Sequence, residues 1–437
     1  MNKVISLIIR RFSGSKEAKN ASWLIAGKMA QMVLSLFVGL LSARYLGPGN
    51  FGLVNYGASY VGLFSSLCSL GINSVIIKEL DDRPEEQGTA LGTAIVLRIA
   101  ASLLSILMIT AFVSIVDRGE PITIAVTVLC SLSLLFHVFD TINYWFQYRY
   151  ASKVTAKSTL AAYVIVSAYK ITLLALGMDV RWFAFSTSVD YIMIAVFQLL
   201  SYRKHGGQRF SFSMAKAKRI LGKSYHYILA GMMVAVYAQT DKLMLKQMLD
   251  EVSVGYYSTA TTICNMWVFV LAAVIDSVYP SIIRLFNAGE KAQYRRKNIQ
   301  LYAIVFYVSA AASLGFILFG RPIVRILYGE AYLPAVMPLK IVTCYTAFSY
   351  LGVARNAWIV CENKQKYLKY IYVGAAVTNV IINAVFIPLW GATGAAVASL
   401  ITQMATCLIF PWFLKELREN AKLMLDAIML KGLVRRS

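Results

Sequence analysis

Long uninterrupted apolar runs dominate the chain. Residues 51–77, 121–139, 298–320 and 370–414 contain no Asp, Glu, Lys or Arg at all. A helix that crosses the ~30 Å hydrocarbon layer needs about 20 mainly apolar residues, so the first three runs are each one span. The 45 residues of 370–414 are too many for one, and LWGATG (389–394) divides them in two. The remaining spans carry one or a few ionisable residues each inside apolar sequence. The pattern predicts twelve helices at roughly 22–43, 51–77, 88–116, 121–148, 156–177, 182–202, 222–246, 252–285, 298–320, 334–361, 367–388 and 391–414. The runs are continuous rather than alternating at every second residue, which argues against a transmembrane β-barrel. Pro280 inside the eighth span predicts a kink there. The first ~20 residues are polar and basic, and span one is long enough to remain in the membrane rather than be cleaved.

Composition agrees: 58% of the 437 residues are hydrophobic and 15% charged, against roughly 45–50% and 25% in soluble domains. The net charge of +22 raises the question of nucleic acid, but its distribution answers it. If the N-terminus is cytoplasmic, segments on that side collect 31 of the 43 Lys and Arg, the opposite side holds 7, and 5 lie inside spans. This is the positive-inside bias of twelve spans with both ends cytoplasmic. The charge is topological, and no nucleic-acid partner is implied. The tail 415–437 reads as a short amphipathic helix on the anionic inner leaflet. The six cysteines have neither pairing nor ligand spacing and read as core residues. The three histidines form no cluster, so no metal site or cofactor is expected.

The longest cytoplasmic connection, 201–223, leaves six spans on each side and sets two domains, 1–210 and 211–437. The halves echo each other. YLGPGNFGLVNYGA (45–58) joins spans one and two, and QMLDEVSVGYYSTA (247–260) joins spans seven and eight, with Gly52 opposite Gly255 and Leu46 opposite Leu249. Two parallel six-helix lobes related along the membrane normal place a pathway between them.

Four stretches then carry a resemblance. ARYLGPGNFGLVNYG (43–57), AQTDKLMLKQMLDEVSVGYYSTA (238–260), LFGRPIVRILYGEAYLPAVMPLKI (318–341) and WGATGAAVASLIT (390–402) resemble, in order, signatures of the bacterial oligosaccharide flippases. That family sits within the superfamily that also holds multidrug exporters and the lipid II flippase. The resemblance implies an all-α polytopic membrane protein with two pseudo-symmetric lobes around a central cavity. It also implies translocation of undecaprenyl-diphosphate-linked oligosaccharide units across the bacterial inner membrane. Polysaccharide polymerase and chain-length proteins would then act alongside it.

Charges inside the membrane are the candidate chemistry, because each costs at least ~2.5–3.5 kcal/mol at the bilayer centre unless it meets water or a partner. Lys28, Arg98, Lys170 and Arg355 are candidates for binding the cargo's diphosphate: Arg by a planar fork, Lys as a point charge. The plainer readings are snorkelling for Lys28, a local ion pair for Arg98 and Lys170, and a pair with Glu362 for Arg355. Asp241 with Lys242 is a candidate gate or coupling site, with pairing to Lys246 or Arg44 as the structural alternative. Asp140 and Asp190 are candidates for binding a proton or Na⁺. Tyr144, Trp145 and Tyr148 suit either sugar stacking or the interfacial aromatic belt. A cation-coupled multidrug antiporter is the competing function, and acids should then dominate the cavity. A membrane polymerase or ligase would be expected to carry a large external loop, whereas the longest here has about 14 residues. No nucleophile–base pair or phosphate loop marks an enzyme.

Overall fold

Hydrocarbon offers no hydrogen bonds, so each spanning segment must satisfy its own backbone as helix. The computed structural model describes the backbone of residues 16–431 and the side chains of 31–431 other than Ser74, Leu229 and Ala230. The chain runs through α1 (Lys16–Ser69), α2 (Ile76–Asp82) and α3 (Gln87–Val116), then a span broken into α4 (Pro121–Ser131), α5 (Ser133–His137) and α6 (Thr141–Tyr148). There follow α7 (Ser152–Ala175), α8 (Val180–Lys204), α9 (Met214–Met248), α10 (Glu251–Asn265), α11 (Phe269–Asn287) and α12 (Lys291–Leu327). The chain closes with α13 (Val336–Cys361), α14 (Leu368–Met404), α15 (Phe410–Phe413) and α16 (Arg418–Ile428). No strand occurs among the described residues.

Nine helical stretches among the described residues are long and apolar enough to cross a membrane, ten with the bent pair Met214–Ile228 and Gly231–Met248. Two of them are double. α1 leaves helical geometry at Gly47 (φ 68°, ψ 172°), just before Pro48. α14 does so at Gly391 (φ 58°, ψ −133°), three residues after Pro388. Each break separates two helical segments at a place where the hydropathy pattern predicts the join of two spans. The eighth span is also interrupted at 266–268, where Met266 and Trp267 tighten to bond the carbonyls of Ile263 and Cys264, 3.2 and 3.5 Å away. Pro280 stands inside α11.

Packing divides the chain into two units: residues 1–46 with 57–235, and residues 47–56 with 236–437. The first unit has an apolar cluster of Ile72, Ile76, Leu80, Leu91, Ile142, Trp145, Phe146 and Tyr202. Trp145 is 1% exposed and donates to Gln87 Oε1 at 2.9 Å, so its ring is a core element and not a sugar platform. The connection 205–213 lies along α3, where Gly88 N–H donates to Gln208 Oε1 at 2.7 Å and Ser213 N–H to Thr93 Oγ1 at 3.1 Å. The start of α9 is held by ion pairs of Lys216 with Glu86 at 2.6 Å and of Arg219 with the buried Glu79.

Arg98 holds the broken span of the first unit. It is 2% exposed. Its Nε donates to the Cys68 carbonyl at 3.3 Å, Nη1 to the Val138 carbonyl at 3.2 Å and to Thr141 Oγ1 at 2.7 Å, and Nη2 to the His137 carbonyl at 3.2 Å. Carbonyls released where α5 gives way to the turn 138–140 need donors, and one rigid guanidinium supplies several at once.

In the second unit, residues 47–56 pack directly on α10. A Cβ on Gly52 would strike the Glu251 carbonyl, and one on Gly255 the Pro48 carbonyl. The two glycines that the sequence pairs by internal repetition are therefore where the two backbones touch. Phe51 sits 6.2 and 6.1 Å from the rings of Tyr328 and Tyr332. The tail helix α16 is amphipathic as expected, but its apolar face is covered by protein rather than left for a leaflet. Ala421, Leu423, Met424 and Ala427 are buried in the core of α12 and α13, and Asn420 Nδ2 donates to Tyr302 OH at 2.7 Å. Arg355, 3% exposed, donates from Nη1 to the Thr406 carbonyl at 3.0 Å, inside the wide π-turn Ala405–Ile409. A π-turn leaves carbonyls out of register with the helix ladder, so Arg355 does for the second unit what Arg98 does for the first.

Two outcomes are expected. Gly52→Ala and Gly255→Ala should each cost about 1–3 kcal/mol of stability, because the added methyl meets backbone that must move. Gly39→Ala, whose Cβ meets nothing within 4 Å, should be neutral or slightly stabilising; thermal melting of the purified protein reads all three. Arg98→Met should cost at least ~2 kcal/mol by orphaning several buried acceptors. Arg98→Lys should recover only part of that, since a single ammonium cannot span the same fork.

Candidate functional site

The most developed polar site lies in the second unit around Asp241. On α9 this residue stands seven positions before the helix end, roughly 10 Å inside at 1.5 Å per residue. It is 7% exposed. One carboxylate oxygen, Oδ1, accepts from Asn379 Nδ2 at 3.0 Å and from Asn383 Nδ2 at 2.7 Å. The other, Oδ2, accepts the hydroxyls of Tyr257 and Ser399, which also contact each other at 3.1 Å. Four donors thus meet a carboxylate that has about four acceptor positions.

Local structure explains the convergence. Asn379 and Asn383 are four apart on α14 and so share a face, with Asn383 Nδ2 also donating to Asn379 Oδ1 at 3.0 Å. The Gly391 break turns the chain so that Ser399, on the far limb of the same element, reaches the same carboxylate. Tyr257 comes from α10, beyond the tight turn at 249–250.

Two features make the nest convertible. Its hydroxyls exchange donor and acceptor roles by rotation. Its amides present oxygen in place of nitrogen after a flip, and Asn383 Oδ1 is already buried without a hydrogen-bond partner. Asp241, Tyr257, Ser399, Asn379 and Asn383 therefore offer a set of hard oxygens suited to a small cation, or a carboxylate suited to a proton. Lys246 takes Glu251 at 3.4 Å. Lys242 is half-buried on the same turn of α9 and lies within electrostatic reach of Asp241.

A second polar cluster lies in the first unit. Asp140 Oδ2 meets His137 Nε2 at 2.9 Å, and the His137 ring stands edge-on to Tyr191 at 4.8 Å. Asp190 has a buried Oδ1 without a hydrogen-bond partner and lies within electrostatic reach of Lys170. Tyr163 lies within electrostatic reach of both acids and bonds Gln31. The structure thus gathers Asp140, Asp190 and Lys170, three of the residues the sequence singles out. Arg98 is bonded to three main-chain carbonyls and Thr141 Oγ1 and lies within electrostatic reach of Asp140, while Arg355 donates to the Thr406 carbonyl and keeps a buried Nε without a hydrogen-bond partner. Arg44 is exposed at the end of its span. Lys28 lies on α1 outside the described side chains.

Hydropathy reading missed Tyr257, Asn379, Asn383 and Ser399. A signal was present: two Asn at i and i+4 inside a 45-residue stretch that holds no charge. Neutral amides pass as tolerated polarity in such a stretch, and only their convergence on Asp241 reveals them. Among the described residues no group of three or more His, Cys, Asp or Glu is arranged to hold a metal ion.

Comparison with known proteins agrees with this architecture. The chain is 23% identical over 394 residues to the probable flippase AglR of Haloferax volcanii, covering 85% of this chain and 78% of that one. It is 23% identical over 253 residues to an uncharacterized membrane protein of Methanocaldococcus jannaschii, and spans about half the length of that relative. Both relatives are archaeal. An inward-facing multidrug transporter of the MATE family superposes with a TM-score of 0.66 at 15% identity, over 91% of this chain and 96% of the other. The lipid II flippase MurJ, in an inward closed conformation, gives 0.66 at 14% identity over 94% and 92%. A transporter of the same superfamily from Pyrococcus furiosus gives 0.63 at 13% identity over 95% and 98%. At such identities these structures show the fold alone, the all-α arrangement of helices that these transporters share. Residues 18–286 match the family described as polysaccharide biosynthesis protein, and the chain belongs to that family.

Proposed function

We propose that this protein flips undecaprenyl-diphosphate-linked oligosaccharide repeat units from the cytoplasmic to the outer leaflet of a bacterial inner membrane. The transport runs by alternating access, with both termini cytoplasmic. Family membership over 18–286 and the flippase-like relative from an archaeon support the cargo class. The bias of 31 Lys and Arg to one side supports the orientation. Polymerase and chain-length proteins are the partners such a product would meet.

The observation that carries the reading is the nest around Asp241. A buried, ionised carboxylate is expensive unless every acceptor position is filled, and here four donors fill them. A residue costly enough to need that enclosure at membrane depth fits an exchangeable positive charge. Asp241 would take a proton directly. For Na⁺, Asp241 with the side-chain oxygens of Tyr257, Ser399, Asn379 and Asn383 would hold the ion. Binding either one cancels the carboxylate charge and releases donors now committed to it. Helix segments from α9, α10 and both limbs of α14 are tied by those bonds, so their release is felt across the second unit. In the same reading Lys242 and Arg44 act at the gate, and Asp140 with Asp190 form a further cation-binding pair. Lys28 and Lys170 meet the cargo's diphosphate. Arg98 and Arg355 serve as positioning residues.

Reconstitution with a lipid-diphosphate oligosaccharide of defined structure tests this. Wild-type proteoliposomes should exchange the lipid between leaflets faster under an imposed proton or Na⁺ gradient than without one. Asp241→Asn should keep the fold and lose that acceleration, by at least tenfold in the gradient-driven rate. Gradient-driven exchange in Asp241→Asn equal to wild type sinks the coupling assignment. Transport of a cationic dye with no lipid exchange would replace the flippase by a multidrug antiporter.

A further inference from the structure

One cavity of the second unit belongs to neither polar site. It has a volume of about 380 Å³ and is lined by Ser281 and Leu285 at the end of α11 and by Gln293, Arg296, Lys297 and Gln300 at the start of α12. The α12 residues fall at i, i+3, i+4 and i+7 and so form one face. Two cations and two amides point into a space where, among the described residues, no acidic side chain contributes to the lining. Their neighbour Arg295 is different: it pairs with Asp426 at 2.9 Å. Neither Arg296 nor Lys297 is in an ion pair with a described residue, and Lys297 is half-buried. A cation drawn partly out of water without a partner calls for an anion from outside. The first turns of α12 add the positive end of the helix dipole.

The face of α11 beside this cavity is also unusual. Ala273, Asp276, Ser277, Pro280 and Arg284 are exposed and form one stripe along the helix. Asp276 on an exposed stripe of a spanning helix is costly against lipid and calls for water or a partner, and Arg284 ends the stripe in the last turn of α11. Ser281 and Leu285 are the next residues round from it. The cavity lies at the end of this stripe that the Lys and Arg bias assigns to the cytoplasm.

We infer that Arg296 and Lys297, with Gln293 and Gln300, form an entry site for a diphosphate group, reached before the cargo moves into the membrane. An Arg fork and a Lys point charge side by side suit adjacent phosphates, and the amides donate to the remaining oxygens. The inference rests on the flippase reading for its ligand, while the site itself is a claim about binding alone.

Full-length protein in detergent micelles is titrated with farnesyl diphosphate and, separately, with inorganic pyrophosphate. Arg296→Gln with Lys297→Gln should weaken farnesyl diphosphate binding at least tenfold. Lys291→Gln, on the opposite face of α12, should bind within twofold of wild type. Pyrophosphate bound with the same loss in the double variant identifies a site for the free group. Farnesyl diphosphate bound without pyrophosphate identifies one that requires the lipid-borne group. Both outcomes sustain the diphosphate site. A folded double variant that binds both ligands as wild type does overturns it. In leaflet exchange the double variant should raise the half-saturating lipid concentration and keep the maximal rate. A wild-type protein that exchanges no lipid defeats the flippase reading, while the binding titration still decides the site.

Discussion

Hydrocarbon has no dipoles with which to solvate a charge, and most of this structure can be traced to that deficit. Each ionisable group at membrane depth must be given a substitute for water, and the substitutes here differ in kind. Arg98 and Arg355 receive main-chain carbonyls that broken helices have left over. Asp241 receives four side-chain donors. The first arrangement is permanent, because carbonyls of the backbone cannot change role. The second is exchangeable, because hydroxyls rotate and amides turn. The same electrostatic cost is thus met by fixed main-chain carbonyls in one place and by rotatable side chains in another.

Helix breaks are what make both arrangements available. A straight span keeps its carbonyls to itself and exposes one unbroken face. The turn at 138–140 frees acceptors for Arg98, the π-turn at 405–409 does so for Arg355, and Gly391 brings Ser399 to the carboxylate that Asn379 and Asn383 already hold. Where two backbones must touch, at Gly52 and Gly255, the absence of a side chain sets the spacing. These positions are close to the polar sites in the chain, so irregularity and chemistry are concentrated together.

The spans were legible because hydropathy is a local property: twelve segments, the division at 389–394 and the glycine correspondence between halves all follow from reading along the chain. The site was only partly legible. Asp241 announced itself as a charge in an apolar run, whereas Asn379, Asn383, Ser399 and Tyr257 are neutral and ordinary until the fold brings them together. Arg98 and Arg355 stand out along the chain because depth is readable there and direction is not. Which way a side chain points among neighbouring helices depends on packing, and here packing turned both toward carbonyls. The tail helix shows the same limit, since its amphipathic pattern specified an apolar face without specifying that α12 and α13 would cover it.

If Asp241 binds the coupling cation, its carboxylate changes charge or partners when that cation arrives. Infrared difference spectroscopy of the purified protein reads this directly, by comparing spectra with and without Na⁺ and across a pH titration. The account predicts a carboxyl band that responds to one of the two ions and disappears in Asp241→Asn. Spectra in which the carboxyl region of wild type and variant respond identically to both ions would contradict it.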